Sequence, residues 1–276
     1  MGSIGRGFRL TGASWRVLMA DKELLLLPVL SFFSMLVVFA LIFGIGWAGG
    51  LSDEAHRRGN PLLWLLIGAL YFCSYFVAIF FNAAVVGAAM MRLNGGDPTV
   101  GDGLRAAWAK KGRIARWALL AATVGLIFNL IEKALEKKGQ WVARLLLGFL
   151  EVSWSVITFF VVPVILFEET KGVGAAVSRS KSIFVSRWGE TFVGSGSIGI
   201  ALFLVALPLA AIVFLIARTS PALAAAVGLL SFGTLAAVGS ALSGIFSAAL
   251  YRYATTGEAG EAFDSADLSG TFRLRS

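Results

Sequence analysis

Two long stretches of this chain carry no charge at all. Leu24 to Gly50 holds 27 consecutive uncharged residues, and Gly59 to Met91 holds 33. About 20 apolar residues in a helix cross the hydrocarbon of a bilayer. Hydrocarbon offers the backbone no hydrogen bonds, so such runs must fold as helices. Four more apolar stretches follow, which gives six spans at about 24–48, 62–91, 114–132, 145–167, 191–217 and 221–250. The third is the weakest. Trp117 to Ile131 has only 15 uncharged residues, and it reaches span length when Arg113 and Arg116 snorkel at one end and Glu132 lies at the other interface. Only 14% of residues are charged and mean hydropathy is +0.82, against about a quarter charged in soluble domains. The expected fold is all-α: an integral membrane bundle of six transmembrane helices. Residues 1–253 are read as one membrane domain, and 254–276 as a polar tail expected to be disordered.

Six spans place both termini on one side. The N-terminal segment, the 92–116 and 168–190 loops and the tail hold 17 Lys and Arg, whereas the other three connections hold 7. Cytoplasmic loops carry the excess of basic residues, so both termini are expected in the cytoplasm. Three of these segments are also amphipathic. Ile4, Phe8, Thr11, Trp15 and Leu18 fall at spacings of three and four. So do Leu104, Ala107, Trp108, Lys111, Ile114 and Ala118, with Lys111 snorkelling. Val173, Ala176, Val177, Ser180, Ile183 and Phe184 form a third such face. Each segment reads as an interfacial helix. Together Trp15, Trp108, Trp117, Arg187, Trp188 and Glu190 would form a collar at the membrane surface. Each segment precedes a pair of spans, which suggests a three-fold internal repeat.

The net charge of +8 sits beside apolar runs and points to anionic lipid headgroups rather than nucleic acid. The single cysteine, Cys73, admits no intramolecular disulfide. With one histidine, His56, and no acidic cluster at ligand spacing, the usual zinc sets are excluded. No metal or cofactor is expected, and no catalytic residues are identified.

Glu151 is the candidate for chemistry inside the membrane, because an ionisable residue within a span is costly and by default a functional hypothesis. Its helical face continues through Trp154, Ser155 and Thr158. Asn82 and Asn129 on neighbouring spans are further candidates for a polar site. The competing reading pairs Glu151 with Arg144, Lys133 or Lys137. Pro163 and Pro208 interrupt the fourth and fifth spans and free backbone groups that need other partners. Gly194 to Gly199 fits G-x-G-x-x-G but opens an apolar span, so it reads as a small-residue packing face and not as a dinucleotide fingerprint. Ser240, Gly244 and Ala248 make a similar ladder, and the fifth and sixth spans are the expected tight pair. Glu168, Glu169 and Glu190 are expected to form ion pairs joining the three amphipathic segments. Glu258, Glu261, Asp264 and Asp267 read as a solvated acidic face.

Several stretches resemble an uncharacterised family of prokaryotic integral membrane proteins, domain of unknown function 6159. They are Ser14-Trp15 with Asp21-Lys22-Glu23-Leu24 ahead of Pro28, Val161-Val162-Pro163-Val164 with Glu168, Arg187-Trp188-Gly189-Glu190, and Ala249-Leu250-Tyr251-Arg252-Tyr253-Ala254 with Gly257. The resemblance implies a six-span fold in a prokaryotic plasma membrane and supplies no activity. A broader likeness is to membrane domains attached to glycerophosphodiester phosphodiesterases, whose soluble catalytic domain this chain lacks. The functional expectation is a non-enzymatic accessory or membrane-organising protein that binds lipid or partner membrane proteins. The alternative is a small-solute or ion permease built around Glu151.

Overall fold

Every long apolar run becomes a helix in the computed structural model, which describes residues 3–51, 60–136, 141–187 and 193–258. Helix α1 is Ser3–Ala20 and leads through a 3-10 turn, Lys22–Leu25, into α2, Leu26–Ala48. Helix α3 is Pro61–Leu93, α4 is Val100–Ala109 and α5 is Lys111–Glu136. Helices α6, Trp141–Thr158, and α7, Val161–Phe167, together make the fourth span. Helix α8 is Val173–Arg187, α9 is Val193–Ala217 and α10 is Pro221–Thr256. Six of these segments are long and apolar enough to cross a membrane, and they match the six expected runs. Gly194 to Gly199 lies inside α9, so it does not form the turn between strand and helix that a dinucleotide site needs.

Local sequence explains where the helices start and stop. Asn60 precedes Pro61 and accepts the Leu62 N–H through its side chain at 2.9 Å. Ser220 precedes Pro221 and accepts from Leu223 at 3.3 Å. Proline at the first helical position costs nothing, because its missing N–H would have had no partner. Thr99 and Asp102 form a reciprocal cap on α4, each side chain accepting the other's N–H. Gly257 closes α10 at φ +79°, with its N–H on the Tyr253 carbonyl at 2.9 Å. The last helix therefore runs past the expected end of the span at 250, and residues 259–276 lie outside the described ones. The amphipathic run from Leu104 to Ala118 is two helices and not one, parted at Lys110. The amphipathic helices α1, α4 and α8 have 18, 10 and 15 residues.

The chain divides into two compact units, where the sequence reading treated 1–253 as one domain. The first comprises residues 1–29, 82–106 and 182–276. Its core mixes large side chains, among them Leu18, Leu24, Leu27, Phe246 and Leu250, with small ones where helices meet. Ala83, Ala84, Val85, Val86, Ala88 and Ala89 of α3 are buried, as are Ala241, Ile245, Ala248 and Ala249 of α10. Small side chains let helix backbones approach closely. A Cβ on Gly103 would stand 2.7 Å from the Ala84 carbonyl oxygen, and one on Gly244 would stand 2.6 Å from Val85. Helices α9 and α10 pack along each other, as expected, and α1 packs on both. The contacts that close the α9–α10 pair differ from the expected ladder. Gly239 receives Leu202 and Gly228 receives Val213, whereas Gly244 faces α3 and Ser240 is exposed. The buried face of α1 shares only Leu18 with the expected stripe among the residues whose burial is described. It runs through Ser14, Val17 and Leu18 to Asp21, while Trp15 is 45% exposed.

The second unit comprises residues 30–81 and 107–181, with α5 packed against α6 and α7. Its decisive feature is the break in the fourth span. Pro163 has no N–H to give the Phe159 carbonyl and its ring crowds that carbonyl, so the helix cannot run straight through. The chain parts at Phe159 and Phe160, between α6 and α7. Ser180 of α8 closes the gap. Its hydroxyl donates to the Ile157 carbonyl at 2.6 Å and accepts the Phe160 N–H at 3.0 Å. Ser180 is fully buried, as are Ala176 and Ile183 on the same face. Pro208, by contrast, stays inside an unbroken α9.

Replacing Ser180 with alanine orphans one buried donor and one acceptor. We expect Ser180→Ala to lower stability by about 1–3 kcal/mol, measured by denaturant unfolding in detergent micelles. In a Pro163→Ala background the helix regains its own donor, and the same Ser180→Ala change is expected to cost less. Equal costs in the two backgrounds would show that Ser180 does not serve the break.

Candidate functional site

The polar residues expected inside the spans do not form one network. Glu151 is half-buried on α6, and among the described residues it has no ion pair with Arg144 or Lys133. Lys137, its third expected partner, lies outside the described residues. Thr158 turns its hydroxyl back onto the Trp154 carbonyl at 2.8 Å, so its proton is spent within its own helix. Ser155 is exposed and Asn129 is half-buried on α5. Asn82 belongs to the first unit, where its amide is 3.8 Å from the place a Cβ on Gly244 would take.

The expected collar is only partly at the surface. Trp15 and Trp108 are exposed, at 45% and 59%. The Lys111 ammonium lies 4.1 Å from the centre of the Trp108 ring, a cation–π contact. Trp117 is instead buried and stacks on Trp154 at 6.0 Å. Its position one turn into α5 turns it toward α6 rather than outward. Arg187 ends α8, and Trp188 and Glu190 lie outside the described residues.

Charged residues gather instead where α5 begins and α7 gives way to α8. Lys110 donates to the Glu169 carboxylate at 2.6 Å. Arg113 donates from one Nη to the Glu168 carbonyl at 2.8 Å and from the other to the Thr170 hydroxyl at 2.6 Å. Arg179 of α8 grips both oxygens of Glu168, at 3.0 and 2.8 Å. The cause is local. Phe167 ends the apolar run, Glu168 is extended, and Gly172 at φ +91° lets the chain turn directly into α8. The expected pairing of Glu168 and Glu169 with the basic segments is therefore present. Glu190 is outside the described residues.

The first unit has an ion pair that the sequence reading did not single out. Asp21, only 8% exposed, lies 3.2 Å from the Nε of Arg92. Arg92 also donates to Asp97 at 3.1 Å and to the Gly96 carbonyl at 3.3 Å. The signal was legible: Asp21 follows Ser14, Val17 and Leu18 at helical spacing, on the face that packs inward. In the same unit Arg252 pairs with Glu258 at 3.0 Å, so Glu258 is not part of a free acidic face.

The description "Family of unknown function (DUF6159)" matches residues 62–263, most of the chain and five of its six spans. The chain belongs to this family. No curated protein and no solved structure matches it. Membership in DUF6159 agrees with the architecture and assigns no reaction. What it leaves open in this DUF6159 chain is the chemistry of its charged ends.

Two of those carboxylates have opposite proton linkages. Burial pushes the Asp21 carboxyl above its ordinary value of 3.8, against the lowering effect of Arg92. The hydrogen bond and charge of Lys110 hold Glu169 below its ordinary 4.5. A raised carboxylate contributes stability below its ordinary value and loses it as pH rises through the folded value. A lowered one contributes above its ordinary value and loses it as pH falls. Unfolding midpoints in micelles, followed over pH, test this. The wild-type advantage over Asp21→Asn should shrink as pH rises from 3.8, and that over Glu169→Gln should shrink as pH falls below 4.5.

Proposed function

We propose that this protein is a membrane-embedded accessory protein that works by binding rather than by catalysis, holding anionic lipid headgroups at its basic face. The observation that carries the reading is the ordered cluster of Lys110, Arg113, Arg116 and Arg179 at the ends of membrane-spanning helices. Cations at that level lie where lipid phosphates lie, and each such residue is worth about 1 kcal/mol near an anionic leaflet. Exposed Trp15 and Trp108 suit the same depth. The basic excess supports a cytoplasmic position for this face in a prokaryotic cell, and partner membrane proteins would pack on the exposed faces of the spans.

Two measurements test the reading. In a Cys73→Ser background, an impermeant maleimide added to intact cells should label Arg218→Cys and not Lys171→Cys. The reverse pattern would put the basic face outside. In nanodiscs, replacing phosphatidylcholine in part with anionic lipid should raise the thermal midpoint, and added salt should reduce the gain. Equal midpoints in neutral and anionic discs would sink the lipid-binding proposal.

One observation favours the permease as a second reading: Glu151 stands within a span without an ion pair among the described residues. Under that reading Glu151→Gln abolishes solute or ion flux in proteoliposomes and leaves the anionic-lipid midpoint gain intact. Under the accessory reading there is no flux to lose.

A further inference from the structure

A cleft of about 80 Å³ opens beside the charged cluster of the second unit, lined by Arg113, Arg116, Ile165, Thr170, Gly172, Val173 and Ala176. We propose that this cleft binds a phosphate group. The inference rests on the anionic-lipid reading and gives it an address and a chemistry.

The polar side of the cleft is cationic or donates hydrogen bonds. Arg113 and Arg116 lie three residues apart on α5 and so share one face. Arg113 is only 18% exposed and is fixed by the Glu168 carbonyl and the Thr170 hydroxyl. It is a preset charge and does not have to be ordered by the ligand. Among the described residues Arg116 is tethered only through Nε, to the Gly112 carbonyl at 3.1 Å. Its two Nη groups are left to form the paired hydrogen bonds that make arginine a phosphate reader. Thr170 accepts from Arg113 and keeps its own proton to donate.

The floor adds backbone donors. The first helical bond of α8 runs from the Ala176 N–H to the Gly172 carbonyl at 3.3 Å. The N–H groups of Val173, Gly174 and Ala175 therefore have no acceptor within the helix. Its first turn holds no acidic side chain, and Gly172 has no side chain to cap it. The nearby carboxylates are already engaged, Glu168 by Arg179 and Glu169 by Lys110. Glu169 comes no nearer to Arg113 than 3.9 Å, and no carboxylate lines the cleft. An anion with several acceptor oxygens matches this arrangement, and a phosphomonoester has the most charge to offer. The Ile165, Val173 and Ala176 side chains give the cleft an apolar wall against which an acyl-glycerol stem can lie.

The phosphate can come from a lipid headgroup or from a soluble phosphate, and the experiment separates the two. The full chain is placed in phosphatidylcholine nanodiscs alone, or doped with phosphatidic acid or, as a carboxylate control, with oleate. Inorganic phosphate is titrated separately into chain held in maltoside micelles. The variants are Arg116→Gln, which leaves the Arg113 tethers in place, and Arg105→Gln, a basic change outside the cleft.

We expect wild type to prefer phosphatidic acid to oleate. Arg116→Gln should weaken the phosphatidic acid midpoint gain, with binding falling about tenfold for the loss of a paired charge-assisted bond. Arg105→Gln should match wild type. Binding of inorganic phosphate that Arg116→Gln weakens, without a phosphatidic acid preference, makes the ligand a soluble phosphate. Equal response to phosphatidic acid and oleate, unchanged by Arg116→Gln and with no phosphate binding in micelles, overturns the cleft while leaving general anionic-lipid binding standing. No response to either anionic lipid sinks the broader reading instead, and inorganic phosphate then decides the cleft alone.

Discussion

A backbone inside hydrocarbon has nothing but protein to bond to. The break in the fourth span is where this constraint bites. Pro163 removes one helical N–H just after the break and crowds the preceding turn, and backbone groups at the break find partners elsewhere. The buried hydroxyl of Ser180 supplies both a donor and an acceptor. That bond also fixes α8 against the break. With α8 held there, the turn from Glu168 to Gly172 has one course, and Arg179 reaches Glu168. The charged end of the second unit thus follows from a missing N–H within the span.

The same constraint explains why small residues sit at the closest helix approaches of the first unit. Lipid tails are as apolar as leucine, so large apolar side chains gain little by leaving lipid for protein. Helices are held by close approach. Hence the buried half of α3 is Ala83 to Met90, while Trp64 and Leu65 near its start are largely exposed. Gly103 and Gly244 mark the two closest approaches to α3 in this unit. Substituting either adds atoms where the neighbouring backbone or Val85 already stands. At Gly12 or Gly112 a Cβ would meet nothing within 4 Å.

The spans were legible because charge is excluded from them, and that signal does not depend on packing. The faces were less legible, for a physical reason. In water an apolar stripe marks the buried side. In lipid both the buried and the lipid-facing sides are apolar, so periodicity does not separate them. Trp15 and Leu18 were placed on one face of α1, yet Trp15 is exposed and Leu18 buried, and Trp117 was placed at the surface and is stacked on Trp154. The better indicator was residue size together with isolated polarity. Ser14, Asp21 and Ser180 are each polar, lie among apolar neighbours at helical spacing, and are buried. A serine or aspartate is buried only where a partner awaits it, so each was a pointer to a contact from another element.

The ion pairs show how the charged loops are used. Asp21 meets Arg92 in the first unit, joining the end of α1 to the end of α3. Lys110 and Arg113 meet Glu169, Glu168 and Thr170 in the second, joining the start of α5 to the turn before α8. Exposed pairs of this kind add little stability, and Glu169 is 85% exposed. Their effect is on charge. Each carboxylate near the cleft has its nearest cation outside the lining, Glu168 at Arg179 and Glu169 at Lys110, while Arg113 comes only within 3.9 Å of Glu169. Arg116 is left with two donor groups and no acid to spend them on. A cluster arranged only to neutralise itself would have drawn that arginine in. A cluster that holds its acids away from one arginine keeps a positive charge available at the end of a membrane-spanning helix.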